Sequence, residues 1–236
     1  MIAHRGASGY RPENTLPAYA LAAQQRADMI EIDLHYTRDG AIAVSHDAKL
    51  ERLGRRDVEI QDLNLAELRT LNAGDHDGAP TRIPTLDEVL DGFPEMPFNL
   101  EIKHATRGRY AGLEADAIAA LTQRGLVART LFSSFYDDVL SALRTASSEA
   151  RIAVLLSPRA PEGAIQRAQA VRAEAINPHF VMVDELLVAS AHDAGLAVFV
   201  YTVDDADAIE RLLDLGVDGI FTNVPDRMRE IVDRRG

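Results

Sequence analysis

Two carboxylates lie two residues apart in the run Ile30–Leu34, which reads Ile-Glu-Ile-Asp-Leu. In an extended strand alternate side chains share a face, so Glu31 and Asp33 point to one side and the aliphatic residues to the other. Two carboxylates on one face repel each other unless a cation lies between them. Hard divalent cations prefer oxygen ligands of this kind. The spacing therefore predicts a metal site on one face of this strand.

The run Asn99–Lys103 repeats the arrangement. Glu101 and Lys103 share one face there, while Leu100 and Ile102 share the other. This adds a third carboxylate and a cation. Either Glu101 and Lys103 simply pair with each other, or both belong to a site. Two charged pairs at the ends of successive apolar strands favour the site.

Two histidines also end apolar runs. His4 ends the first predicted strand, and His46 ends the run Ile42–His46. A single histidine in such a place is more often a surface or hydrogen-bonded core residue than a catalytic one. Two of them beside inward-facing carboxylates indicate acid–base chemistry, because an imidazole pKa of about 6.5 allows both protonation states at neutral pH. The other histidines are expected to be structural or solvated: His35, His76, His104, His179 and His192.

Arg5 lies in a turn beside Gly6. Its planar guanidinium suits a bidentate contact with phosphate, and Lys103 offers a second positive charge. The alternative for Arg5 is a salt bridge to Glu13, and the sequence leaves both uses open. Thr15 is expected to begin the first helix as its N-cap.

From Ala27 onward, short apolar segments alternate with amphipathic stretches, which is typical of repeated βα units. The predicted strands are Met1–His4, Met29–Leu34, Phe98–Ile102, Thr130–Ser133, Ile152–Leu156, Ala175–Asn177, Ala197–Tyr201 and Gly219–Thr222. Eight strands, each followed by a predicted helix, favour a closed barrel over an open sheet. We therefore predict an α/β protein with a (βα)8 TIM barrel, formed by a single domain over residues 1–236.

One segment between His46 and Pro84 interrupts this rhythm. It is polar and acidic, contains the cluster Gly74–Gly78 and carries one predicted helix around Leu65–Leu71. An excursion after the C-terminal end of a strand lies at the face where barrel loops form active sites. We predict that residues 48–83, approximately, form a small cap inserted after the second βα region.

Composition restricts the partners. With 37 acidic and 25 basic residues, the net charge of -12 disfavours nucleic acid or an anionic lipid surface. The absence of cysteine excludes disulfides, thiolate metal sites and a cysteine nucleophile. No leader-like segment or bilayer-spanning apolar stretch is evident, so we expect a cytoplasmic protein without stable membrane association. Oligomeric state is left open.

The order of the motifs resembles the glycerophosphodiester phosphodiesterase family. Eight pieces match, namely HRG at 4–6, PENT at 12–15, EID at 31–33, TRDG at 37–40, SHD at 45–47, IPTL at 83–86, EIK at 101–103 and GVDGIFTN at 216–223. Any one of them is weak evidence, but the ordered set across nearly the whole chain is specific. The resemblance implies a barrel with an inserted cap and a calcium or magnesium ion.

The resemblance also implies roles for individual side chains. Seven matching residues are present, namely the metal ligands Glu31, Asp33 and Glu101, the acid–base pair His4 and His46, and the phosphate-binding Arg5 and Lys103. Two positions depart from the usual pattern. A tryptophan common in the family's WTV motif is Tyr201 here, which is expected to form an aromatic wall for the substrate. The closing TD is replaced by Thr222 and Asn223, which removes a charge near the mouth.

The expected reaction is hydrolysis of a small-molecule glycerophosphodiester to glycerol 3-phosphate and an alcohol. The metal, Arg5 and Lys103 neutralise the phosphate, one histidine activates the nucleophile and the other protonates the leaving group. Two alternatives stay open. One is a phosphodiesterase acting on lysophospholipids, which calls for an exposed apolar rim or a basic face. The other is a phosphate-binding barrel without catalysis.

Overall fold

A computed structural model describes residues 1–235 of the chain, and within them eight parallel strands close into a barrel. The barrel strands β1–β8 are Ile2–Ala3, Met29–Tyr36, Phe98–Ile102, Thr130–Ser134, Arg151–Leu156, Ala175–Pro178, Ala197–Val200 and Gly219–Thr222. Each strand pairs with its neighbours in sequence, and β1 pairs with both β2 and β8, which closes the sheet. The predicted (βα)8 barrel is confirmed.

In the described part of the chain one helix of the barrel follows each strand, and a further short helix, Leu65–Leu68, lies between β2 and β3. The helices α1–α8 are Leu16–Gln24, Leu86–Gly92, Leu113–Thr122, Asp137–Ala146, Ala164–Ala170, Glu185–Asp193, Ala206–Asp214 and Pro225–Arg235. Thr15 occupies the N-cap position of α1, but its hydroxyl donates to the carbonyl of Pro12 at 2.6 Å instead of capping. Pro17 at the second helical position has no N–H for a cap to serve. Within residues 1–235, no helix combines the length and apolar character needed to cross a membrane.

Strand β2 shows how alternation builds the barrel wall. Ile30, Ile32 and Leu34 are buried in the main hydrophobic core, which lies between the strands and the helices. Glu31 and Asp33 take the opposite face and lie beside residues of β3 that also point inward. A smaller apolar cluster of Leu131, Ala153 and Ala175 fills the barrel below them. The interior is therefore apolar at its base and polar at its mouth.

The predicted excursion lies between β2 and α2. It leaves the barrel through the strand Ile42–Val44, which pairs antiparallel to β2. Two 3₁₀ helices, Glu51–Leu53 and Ile60–Asp62, and the helix Leu65–Leu68 follow before the hairpin formed by residues 75–80. These elements enclose an apolar cluster of their own, which contains Ala43, Leu50, Ile60, Leu68 and Ile83. The segment is therefore a cap with its own small core.

The loop between β1 and α1 lies directly against α1 at Gly6. The φ angle of Gly6 is +81°, and a Cβ built there would lie 2.7 Å from the carbonyl carbon and 2.8 Å from the Cβ of Ala18. Only glycine satisfies both the positive φ and the close approach. This contact fixes the height of the loop that carries His4 and Arg5.

We expect Gly6→Ala to lower the free energy of unfolding by more than Gly40→Ala does. Gly40 has a similar φ of +80°, but no described atom lies within 4 Å of a Cβ built on it, so it isolates the cost of left-handed backbone, about 1–2 kcal/mol. The clash at Gly6 adds about 1–3 kcal/mol. Each kcal/mol shifts the thermal unfolding midpoint by about 2–4 °C for a chain of this size. Equal midpoints for the two variants would contradict the packed loop.

Candidate active site

The mouth of the barrel surrounds a cavity of about 250 Å³. Its charged and imidazole side chains on one side come from the first three βα units, namely His4, Arg5, Glu31, His46, Glu101 and Lys103. The strands from β4 onward contribute mainly aromatic and apolar side chains, among them Phe135, Leu155, Tyr201 and Phe221. The cavity is thus divided into a charged half and a largely uncharged half.

The three predicted metal ligands form one cluster at the charged half. One carboxylate oxygen each of Glu31, Asp33 and Glu101 lies within 4.8 Å of the other two. Strands β2 and β3 bring them together, because Asp33 lies beside Glu101 in the parallel register. All three side chains are buried. The structure therefore brings together the carboxylates that the two-residue spacing singled out.

Glu31 carries an uncompensated charge in this cluster. Its Oε2 accepts a hydrogen bond from the backbone N–H of Arg5 at 2.8 Å, whereas its buried Oε1 has no partner among the described residues. Burial and the neighbouring carboxylates of Asp33 and Glu101 raise the pKa of Glu31 well above its ordinary value. A buried, unpaired carboxylate is costly. Oxygen ligands arranged in this way fit a hard divalent cation.

Lys103 and Arg5 lie beside the carboxylates. Lys103 Nζ is 2.5 Å from Glu101 Oε1 and 2.9 Å from Asp33 Oδ1. Arg5 Nη1 donates to Glu13 at 2.9 Å, and its Nε lies 3.5 Å from Asp33 Oδ2. Burial opposes ionisation of Asp33, but these two cations outweigh it and hold its pKa well below the usual range. Both simple ion pairs considered from the sequence therefore form, and they form within the site.

His4 is held by an amide. Its Nδ1 lies 2.8 Å from Oδ1 of Asn223, which can only accept, so Nδ1 is the donor. Burial, reinforced by the positive charge of Arg5, lowers the pKa of His4 to about 4. The ring is therefore neutral at pH 7 in this environment, with its Nε2 lone pair free.

His46 is held by a carboxylate and by a second histidine. Its Nδ1 lies 2.8 Å from Asp47 Oδ1, and its backbone carbonyl lies 3.2 Å from Nε2 of His35. The other ring nitrogen of His35 lies 2.8 Å from the hydroxyl of Tyr110. Burial and Lys103 lower the pKa of His46, and the carboxylates of Asp33 and Asp47 oppose them only in part. His35, which the sequence left without a role, supports the backbone of His46.

Arg52 of the cap contacts two carboxylates that hold site residues in the charged half. Its Nη1 donates to Glu13 Oε1 at 2.7 Å and lies 3.4 Å from Asp47 Oδ2. Glu13 in turn binds Arg5, and Asp47 binds His46. The cap therefore contacts the neighbours of two predicted site residues, Arg5 and His46, and residue spacing alone does not predict this connection.

Comparisons with known proteins place the chain among others of related sequence. The model of the glycerophosphoryl diester phosphodiesterase family matches residues 4–227. The chain is also 31% identical over 250 residues to the glycerophosphodiester phosphodiesterase of Bacillus subtilis (strain 168), which covers 98% of this chain and 85% of that protein. The chain belongs to the glycerophosphoryl diester phosphodiesterase family. The family and the enzyme class predicted from the motifs are confirmed.

Solved structures of other phosphodiesterases have the same fold. The Oleispira antarctica phosphodiesterase, in complex with the product sn-glycerol-3-phosphate, superposes with a TM-score of 0.85 at 31% identity, covering 98% of this chain and 96% of that one. The glycerophosphodiester phosphodiesterase of Agrobacterium tumefaciens gives a TM-score of 0.82 at 27% identity, covering 96% and 97%. The similarity therefore extends over the whole barrel.

Tyr201, where the family commonly has tryptophan, stands in the uncharged half of the cavity. Its ring packs edge-to-face against Phe135 and His179, with centroid distances of 6.0 Å and 5.4 Å. Its hydroxyl donates to the carbonyl of Leu156 at 2.6 Å, so the barrel already satisfies it. His179, expected to be structural or solvated, lines the same wall. Both aromatic rings therefore line the uncharged half of the cavity.

Proposed function

We propose that the protein hydrolyses glycerophosphodiesters to glycerol 3-phosphate and an alcohol, with a calcium or magnesium ion held by Glu31, Asp33 and Glu101. One observation carries the proposal: a single cavity is lined by two carboxylates of the three-carboxylate cluster, by His4 and His46, and by the cations Arg5 and Lys103. When bound, the cation supplies Lewis-acid stabilisation of the phosphate oxygens. The glycerol 3-phosphate complex of the Oleispira antarctica relative supports this substrate class.

Charge balance explains why a phosphodiester anion needs the cation. When Glu31, Asp33 and Glu101 are all ionised, they outnumber the neighbouring cations Lys103 and Arg5, and Arg5 is also shared with Glu13. A phosphodiester carries a further negative charge and is repelled by such a site. A divalent cation held by the three carboxylates would offset this excess of negative charge, and Arg5 and Lys103 would then be able to bind phosphate oxygens. Binding of substrate and of metal are therefore coupled in this proposal.

The two histidines divide the proton transfers. His4 acts as the base, because its neighbour Asn223 is uncharged and its Nε2 is free to accept a proton. His46 acts as the acid, because the carboxylate of Asp47 on its Nδ1 offsets part of the effects that lower its pKa, whereas Nδ1 of His4 faces an uncharged amide. The proton accepted from the nucleophile and the proton given to the leaving alkoxide are thus handled on separate rings. The nucleophile is water or the adjacent glycerol hydroxyl, and the second route passes through a cyclic phosphate.

Product identification tests this proposal. The protein, supplied with calcium or magnesium, is incubated with glycerophosphocholine and followed by phosphorus NMR. We expect the diester signal to be replaced by glycerol 3-phosphate, and a transient cyclic phosphate signal identifies attack by the glycerol hydroxyl. Phosphocholine as the product would place cleavage on the wrong P–O bond and contradict the proposal.

The alternatives give different results in the same experiment. Turnover of a lysophospholipid, without turnover of glycerophosphocholine, glycerophosphoethanolamine or glycerophosphoglycerol, would favour the lipid phosphodiesterase. Binding of these diesters without any product would favour the non-catalytic barrel.

A further inference from the structure

Asn223 lies between His4 and a carboxylate that does not line the cavity. Its Oδ1 faces His4 Nδ1 at 2.8 Å and also accepts the hydroxyl of Ser8 at 2.8 Å. Its Nδ2 donates to Oδ2 of Asp204 at 2.7 Å. The three side chains therefore form a row that runs from the loop after β7, through the end of β8, to the cavity.

Asp204 determines which way the Asn223 amide points. The other oxygen of Asp204 accepts the hydroxyl of Thr222 at 2.9 Å and the backbone N–H of Asn223 at 2.7 Å, so the carboxylate is held on two sides. A carboxylate can only accept, and the amide must therefore turn its NH₂ group toward Asp204 and its oxygen toward His4. An oxygen facing His4 Nδ1 requires the proton to be on Nδ1.

We propose that Asp204 and Asn223 are positioning residues that set the tautomer of His4 and so keep its Nε2 free to act as the base. The inference rests on the proposed role of His4. Neither residue touches the reacting atoms in this account. Asp204 orients the Asn223 amide, and the oxygen of that amide holds the His4 proton on Nδ1.

The charged groups around His4 agree with this arrangement. Burial and the charge of Arg5 disfavour the imidazolium most, the hydrogen bond to Asn223 and the charge of Asp33 favour it, and Lys103 adds a smaller unfavourable effect. Asn223 stands where the family pattern usually has aspartate. The carboxylate of this row therefore belongs to Asp204, which contacts Asn223 and not the His4 ring. The hydrogen-bond direction is retained without placing a negative charge on the ring.

Asp204→Asn tests the direction of the row with a nearly isosteric change. Residue 204 keeps one oxygen for Thr222 and the Asn223 backbone and turns its new NH₂ group toward the Asn223 side chain. The Asn223 amide then flips, its NH₂ faces His4 Nδ1, and the proton moves to Nε2. We expect kcat to fall about 10- to 100-fold, part of the roughly 10²–10⁴ that a positioned base contributes, while KM stays nearly unchanged.

The double variant Asp204→Asn/Asn223→Asp is the rescue. An acceptor faces His4 Nδ1 again, and the amide at 204 donates to it, so every hydrogen bond of the row is restored. We expect kcat to recover most of the loss. The carboxylate now on the ring raises the pKa of His4, and because a base works only when unprotonated, the acid limb of kcat/KM moves to higher pH.

Nitrogen NMR of histidine-labelled protein reads the tautomer directly, with the His4 signals assigned from a His4→Gln spectrum. We expect the proton on Nδ1 in the parent, on Nε2 in Asp204→Asn, and on Nδ1 again in the double variant. Asp205→Asn is the matched control, because Asp205 is the adjacent N-cap of α7 and accepts only from Ala208 N. Its kcat and its His4 tautomer are expected to equal those of the parent.

Three results would overturn the inference: parent kcat in Asp204→Asn, no recovery in the double variant, or an unchanged tautomer. The failure of the proposed function is separate, since it appears as full activity in His4→Ala. The tautomer of His4 still reports on Asp204 in that case.

Discussion

Replacing either His4 or His46 with alanine will reduce kcat by about 10²–10⁴-fold, the range that a positioned acid or base contributes. The two rings occupy the same cavity but have different partners, Asn223 for one and Asp47 for the other. Each ring is therefore held in its own position, and neither is expected to replace the other in proton transfer. The measurement is steady-state turnover of glycerophosphocholine with metal in excess.

The fold must be shown to survive these substitutions. Circular dichroism and the thermal unfolding midpoint serve that purpose, and the metal-dependent rise of the midpoint should persist because neither histidine is a proposed ligand. His192→Ala is the matched control, since His192 pairs with Asp218 and does not line the cavity. Retention of most of the activity in His4→Ala or His46→Ala would remove that residue from the mechanism.

Glu31→Gln will abolish metal binding and activity, yet it will raise the unfolding midpoint of the metal-free protein. The raised pKa of Glu31 means that the folded state holds its proton more tightly than the unfolded chain does. For an acid of this kind, stability is lost as pH rises above the unfolded-state pKa of about 4.3. At pH 7 the metal-free fold therefore carries a free-energy cost at Glu31 that the unfolded chain does not, and glutamine removes this cost with almost no change of shape.

Thermal unfolding with and without metal measures both effects. A ligand at 100 times its dissociation constant stabilises the fold by about 2.7 kcal/mol, which is roughly 5–10 °C for a chain of this size. We expect that rise in the parent and none in Glu31→Gln. Glu114→Gln is the control, because Glu114 is also buried with a raised pKa but lies on α3 outside the cavity. A normal metal response in Glu31→Gln would contradict the ligand assignment.

The sequence predicted the barrel and the carboxylate cluster because both depend on short-range periodicity. Short, largely apolar runs of three to six residues predicted the eight strands, and the two-residue alternation of β2 and β3 predicted which side chains share the interior. Asp33 and Glu101 then met because the strands pair in parallel register. His35 carried the same signal, since it lies two residues beyond Asp33, but its contact with the His46 carbonyl depends on the register of an antiparallel strand.

Other parts of the site depend on side-chain directions in loops, which spacing does not encode. Arg52 reaches Glu13 and Asp47 only because the cap folds back over the mouth. Asp204 and Asn223 lie 19 residues apart, on neighbouring strand ends, and their contact requires one particular amide orientation. A departure from a motif, as at Asn223, marks such a position in the sequence. It does not predict that Asp204 is the side chain that contacts it.

In the proposed mechanism, phosphodiester hydrolysis requires a divalent cation bound to the carboxylate cluster. The most direct measurement uses metal-stripped protein and glycerophosphocholine, with released glycerol 3-phosphate assayed through a coupled dehydrogenase before and after calcium or magnesium is restored. We expect almost no release of glycerol 3-phosphate without metal, recovery when calcium or magnesium is added, and no recovery in Glu31→Gln. Full activity of the stripped protein in the presence of a chelator would contradict it.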